Sequence, residues 1–199
     1  MSIGDTFKSI TKGMPSLVTG GQPGYRAGDV KLAWNKPELA GSSVLNVSST
    51  AFEDGQPIPA IYSGDGNNIP PPLFWTGSTD QVQSFALVVE DPDAPTPDPY
   101  VHWLLYNIPA SVRQLPEGLE KEPVLATFHN AMQGKNSSLK TGWTGMAPPK
   151  GDTPHRYFFQ LFALDTRLNL EGGVGRGELF DAMSGHVIAR GRTIGTYQR

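Results

Sequence analysis

The chain reads as a mostly β domain with one helix late in its length. Three observations predict this. Glycine and proline are abundant, at 23 and 18 of 199 residues, and follow no period, which favours many turns over a helical bundle or a fibre. Several apolar runs have strand length. Only one stretch, 175–190, spaces its apolar residues in a helical pattern.

Residues 1–41 form an N-terminal arm in which Pro15, Gly20, Gly21, Pro23, Gly24 and Gly28 break any pattern, with at most a short helix near Phe7. An arm of this kind is disordered, or tied to the body or to a second subunit, so a homodimer is one expectation. From Ser42 onward the texture is that of one domain, 42–199, with no repeat and no internal linker. Val44, Leu45 and Val47 suggest a first strand, and Asp54-Gly55 and 64–68 are turn signals. Pro70, Pro71 and Pro72 exclude a central strand and predict a rigid edge ahead of Leu73, Phe74 and Trp75.

Residues 84–89 are apolar on both faces and predict a buried strand. It leads into Asp91-Pro92-Asp93-Ala94-Pro95, a turn stiffened by proline. The next strand, 100–108, alternates, with His102, Leu104 and Tyr106 assigned to one face and Val101, Trp103 and Leu105 to the other. Residues 112–122 read as loop, and 130–151 as a long loop of a length that is often functional. Residues 155–162 carry the strongest strand signal, with His155, Tyr157, Phe159 and Leu161 on one face. In 175–190, Leu179, Phe180, Met183, Val187 and Ile188 form the helical pattern, and 193–197 close the chain as a short strand broken by Gly195.

A net charge of −3 gives no electrostatic case for nucleic acid as a partner. With no cysteine there is no disulfide frame, thiolate metal site or thiol nucleophile. Residues 1–10 lack a signal-peptide core, and no run approaches the ~20 apolar residues of a bilayer span. These features predict a cytoplasmic protein that is not integral to a membrane.

Four polar groups stand at strand ends or on strand faces: Asp91, His102, His155 and Tyr157. If three strands meet at one sheet end, spacings of ~4.8 Å across strands and ~6.7 Å along them let these groups line one pocket. Two imidazoles and a phenol can donate to an oxyanion, and backbone N–H groups before Pro148-Pro149 can add to them. That inventory suits a small anion such as a phosphate monoester. Each residue also has a structural reading. Asp-Pro pairs end strands, a strand histidine among aromatics is commonly a satisfied core residue, and Tyr157 beside Phe158 and Phe159 fits a core position with one hydrogen bond. His129 and His186 have no companions. Gly134-Lys135 lacks phosphate-loop spacing, no Gly-x-Ser-x-Gly elbow nominates a serine, and no metal-ligand spacing supports Asp91, Asp93, His102 and His155 as ligands.

Asp91-Pro92-Asp93-Ala94-Pro95, His102-Trp103, Pro148-Pro149-Lys150-Gly151 and His155-Arg156-Tyr157 together resemble the signature blocks of the phosphatidylethanolamine-binding protein family, also called the Raf kinase inhibitor protein family. The segments 107–109 and 158–165 are most similar to its bacterial and archaeal branch, and 68–75 also fits. The resemblance spans about 42–197. It implies a β-sandwich with a large central sheet, a smaller sheet and few helices. It also implies a small cavity at one sheet end that binds phosphate or a phosphorylated headgroup. By position, Asp91, His102, Pro149, His155 and Tyr157 would line that cavity, with backbone near Ala147, and Ala94-Pro95 would be a cis bond. Met146-Ala147, Trp143 and Pro70 depart from the family's usual residues. The chain stops soon after its last strand, so the C-terminal helix of the animal branch, and kinase regulation of that type, are not expected. The implied function is non-catalytic binding of a small anionic ligand, without cofactor or metal. Two alternatives stand beside it: an interaction protein that inhibits a protease or kinase, and a weak hydrolase using a histidine as general acid or base.

Overall fold

The computed structural model describes residues 26–77 and 80–199; the helix expected near Phe7 lies outside them. Over the described residues the protein is a β-sandwich with one α-helix. In chain order the strands are β1 (Ser43–Val44), β2 (Asn46–Ser48), β3 (Leu73–Thr76), β4 (Ser84–Asp91), β5 (Tyr100–Pro109), β6 (Gln114–Leu115), β7 (Val124–Leu125), β8 (Ala131–Gln133), β9 (His155–Leu164) and β10 (Val187–Tyr197), with α1 (Arg176–Met183) before the last. A seven-stranded sheet runs β1-β10-β9-β4-β5-β8-β7, and a three-stranded sheet runs β2-β3-β6.

β4 sits in the middle of the large sheet, and all eight of its residues are buried. That is why its sequence is apolar on both faces. It runs antiparallel to both β5 and β9, so its C-terminal end meets their N-terminal ends. One face of the sheet packs Leu87, Val89, Trp103, Tyr157, Phe159 and Leu161 against the small sheet and its flanking loops, including Leu73, Trp75, Leu115 and Trp143. The other face packs Ala86, Val88, Leu104, Tyr106 and Phe162 against Leu179, Phe180 and Met183 of α1 and against Ala33 and Leu39. Residues 29–39 make three short 3-10 turns across this outer face, and Leu32, Ala33 and Leu39 are fully buried.

Several expectations from the sequence are corrected. The helix ends at Met183, because Gly185 adopts φ 78° and turns the chain; Val187 and Ile188 belong to β10, which runs through Gly195 unbroken. The first strand is two strands, β1 in the large sheet and β2 in the small one, divided at Leu45. β3 is the middle strand of the small sheet rather than an edge; the three prolines precede it and so remove none of its ladder donors. The two long loops contain β6 and β8.

The alternation of β5 slips twice, once between Leu105 and Ile108 and once at the cavity end. Val89 faces Trp103 but Glu90 faces Val101, so His102 is the extra residue of a bulge. Val101 therefore shares the outer face with Leu104 and Tyr106, while His102 turns to the inner side with Trp143 and Tyr157. The face assigned to His102 by strict alternation is thus reversed.

Candidate functional site

The C-terminal end of β4 and the starts of β5 and β9 enclose a cavity of about 370 Å³. Asp91, His102, Ala147, Pro149, His155 and Tyr157 all line it, from three strands and one loop. The structure therefore brings together the six positions that sequence reasoning selected. It adds Tyr100, Ser138 and Thr144 to the wall, together with Ala94, Pro95 and Thr96.

Each polar group has a defined setting. Asp91 Oδ1 accepts the backbone N–H groups of Asp93 (2.8 Å) and Ala94 (3.0 Å), closing the turn after β4. No cis peptide bond occurs among the described residues, so Ala94-Pro95 is trans, contrary to expectation; the aspartate cap closes the turn without one. Asp91 Oδ2 accepts His155 Nδ1–H at 2.8 Å. On its other side His155 Nε2–H donates to Asp152 Oδ2 (3.3 Å), which also accepts from Arg26 (2.5 Å). An imidazole that donates from both nitrogens is the protonated form. Burial alone would lower the His155 pKa, but the hydrogen bond and charge of Asp91 and the hydrogen bond of Asp152 outweigh it and hold it above the ordinary value.

His102 behaves oppositely. Its Nδ1–H donates to the Thr144 carbonyl at 2.7 Å, and burial, only partly opposed by the charge of Asp91, holds its pKa below the ordinary value. Its ring meets Tyr157 edge-on, with centroids 5.1 Å apart. Tyr157 has no exposed surface, and its hydroxyl has no hydrogen-bond partner. Burial, then the charges of Asp91 and Asp93, push its pKa well above the ordinary phenol value, so it stays a donor.

Asp93 turns out of the cavity to hold Arg156 with both oxygens, at 2.8 Å each. Burial would raise its pKa, but the hydrogen bonds and charge of Arg156 outweigh this and lower it. Among the described residues no three His, Cys, Asp or Glu are grouped to hold a metal. The loop carrying Ala147 is clamped in place. Gly64 N–H donates to Met146 O (2.9 Å), Gly145 N–H to Asn68 Oδ1 (2.7 Å), and Trp143 Nε1–H to Tyr62 O (3.2 Å). A Cβ on Gly145 would lie 2.5 Å from Gly64 N, so only glycine allows this approach.

Sequence reasoning missed Asp152 and Arg26, because their roles depend on loop closure. Tyr100 carried a usable signal, being two residues before His102 on the same strand.

A large, mostly antiparallel sheet packed on a smaller one, with a donor-bearing cavity at one end, defines a β-sandwich class. The sequence matches the family described as phosphatidylethanolamine-binding protein over residues 48–198, and the chain belongs to that family. It is 43% identical over 155 residues to a UPF0098 protein of Pyrococcus horikoshii, covering 78% of this chain and 77% of the relative. Among solved structures, a phosphatidylethanolamine-binding protein homolog from Chlamydia trachomatis superposes with a TM-score of 0.71 at 37% identity, covering 79% of this chain and 99% of the other. YbcL of E. coli, described as a member of the mammalian family, superposes at 0.70 with 31% identity, covering 78% and 98%. No helix among the described residues is long and apolar enough to cross a membrane.

Proposed function

We propose that the chain is a non-catalytic binding protein for a small anionic ligand, phosphate or a phosphorylated headgroup, held in the cavity between Asp91, His102, Ala147, Pro149, His155 and Tyr157. The observation that carries this is the Tyr157 hydroxyl. A fully buried donor without a partner is costly unless a ligand supplies the acceptor. The Asp91 carboxylate supports the reading, because two N–H groups and protonated His155 offset its charge where an anion would approach. The absence of catalysis is supported by the imidazoles' partners. His102 Nδ1 donates to a backbone carbonyl and His155 meets two carboxylates, so among the described residues neither imidazole is hydrogen-bonded to a serine or threonine hydroxyl as an activated side-chain nucleophile would require.

Isothermal titration with inorganic phosphate and with phosphoethanolamine tests this. Tyr157→Phe removes only the donor and is expected to weaken binding about tenfold or more, the size of a hydrogen bond to an ion. Equal affinity in wild type and Tyr157→Phe would remove the assignment. Phosphatase and esterase substrates are expected to turn over no faster than with His102→Gln.

A further inference from the structure

We propose that the cavity selects oxyanions that carry their own proton, and that the acceptor reading that proton is Nε2 of His102. This rests on the cavity being an anion site and specifies which anions enter it.

A backbone carbonyl can only accept, so the 2.7 Å contact between His102 Nδ1 and the Thr144 carbonyl places the ring's proton on Nδ1. A neutral imidazole with that proton presents a lone pair at Nε2. The ring is 3% exposed, and Nε2 has no partner among the described residues. Burial also keeps the ring neutral. The Tyr157 hydroxyl stands beside it as a buried, unpartnered donor, with ring centroids 5.1 Å apart. The other charged groups of the cavity are already satisfied. Asp91 accepts from two backbone N–H groups and from His155, and His155 donates to Asp91 and Asp152.

Where His102 meets Tyr157, the vacant hydrogen-bonding capacity is therefore one acceptor and one donor, side by side. A fully deprotonated oxyanion offers only acceptors. It would satisfy Tyr157 but set its lone pairs against that of His102. An oxyanion with one remaining O–H donates it to His102 Nε2 and accepts from Tyr157 through a neighbouring oxygen. The charged groups around His102 act in the same direction. Asp91 on β4 is offset by its two N–H donors and His155, and His155 on β9 is itself held by two carboxylates, so these groups leave little net positive charge to balance an added negative one. The remaining rings in contact, Tyr100 and Trp143, are uncharged.

Inorganic phosphate and sulfate separate the two cases. They are nearly isosteric, but at pH 7.5 phosphate keeps at least one O–H and sulfate keeps none. Titration of the full chain with each is expected to show phosphate bound at least about tenfold more tightly, the size of a mismatched hydrogen bond at an ion. His102→Gln, whose amide can turn to donate or accept, is expected to bring the ratio close to one. Equal affinity for the two anions in wild type would overturn the proposal while leaving the cavity an anion site. Binding of neither would remove the site itself and the proposal with it. If His102→Gln does not fold, the ¹⁵N shift of His102 Nε2 in the wild-type phosphate complex decides. An unprotonated, hydrogen-bonded nitrogen supports the proposal, and a protonated one overturns it.

Discussion

His155 and His102, on the strands either side of β4, are pushed in opposite directions, and that difference has a measurable consequence. His155 is raised above about 6.5, so the stability it contributes is complete below that value and is lost as pH rises through its folded pKa. His102 is lowered, so its contribution is complete above about 6.5 and is lost as pH falls through its folded pKa. Urea unfolding between pH 5 and 8.5 should show stability falling on both sides of the mid-range. His155→Gln should flatten the alkaline limb, and His102→Gln the acid limb; an unchanged limb in either variant would contradict the assigned direction. Leu139 is another residue with a local cost. It is 80% exposed at φ 61°, in a turn fixed by Asn136, whose Oδ1 accepts from Ser138 and Lys140. Leu139→Gly relieves a left-handed conformation without losing burial and should raise stability by about 1 kcal/mol, measured by thermal melting.

At the scale of elements, the three long strands were legible because their composition leaves no other use for them. β4 has an apolar run on both faces, and residues 155–161 place His155, Tyr157, Phe159 and Leu161 on one face. What stayed hidden was set by contacts distant in sequence. The bulge at His102 follows from the register of β5 against β4, and no alternating pattern encodes it. Nor did the sequence reveal why Glu90, fully buried, sits between two site-bearing segments. Its carboxylate accepts the Ala33 N–H (2.8 Å), the Gln160 Nε2–H (2.9 Å) and the Arg176 Nε–H (2.6 Å). One side chain thus ties residues 29–39, β9 and α1 to β4. Glu90→Ala leaves these donors and the Arg176 charge unpaired and should cost about 3–5 kcal/mol in urea unfolding. A cost below about 1 kcal/mol would show that this node is replaceable by water.

For the whole molecule, the site end of the sandwich was readable from the sequence, since Asp91, His102, His155 and Tyr157 each fall at a strand end that meets the others. The covering of the opposite face was not. The arm 1–41 carries too little periodicity to predict a docking surface, yet its residues 29–39 lie on the sheet. Ala33 and Leu39 join the second core cluster, and Arg190, stacked 4.3 Å from the Trp34 ring, donates to the Trp34 carbonyl. Burying a leucine contributes about 1.5–3 kcal/mol, and Leu32 and Leu39 are both fully buried. Removing them also opens Ala86, Val88 and Val101 to water. A domain of this size has about 5–15 kcal/mol in total, so we propose that residues 29–41 belong to the folding unit rather than to a separable arm. Deletion through Gly41 should therefore abolish a cooperative melt or lower its midpoint by about 10 °C or more, and Leu39→Ala alone should cost about 2–5 kcal/mol. A truncated chain that melts at the full-length temperature would instead make the segment an accessory, and the outer face of the sheet a surface stable without it.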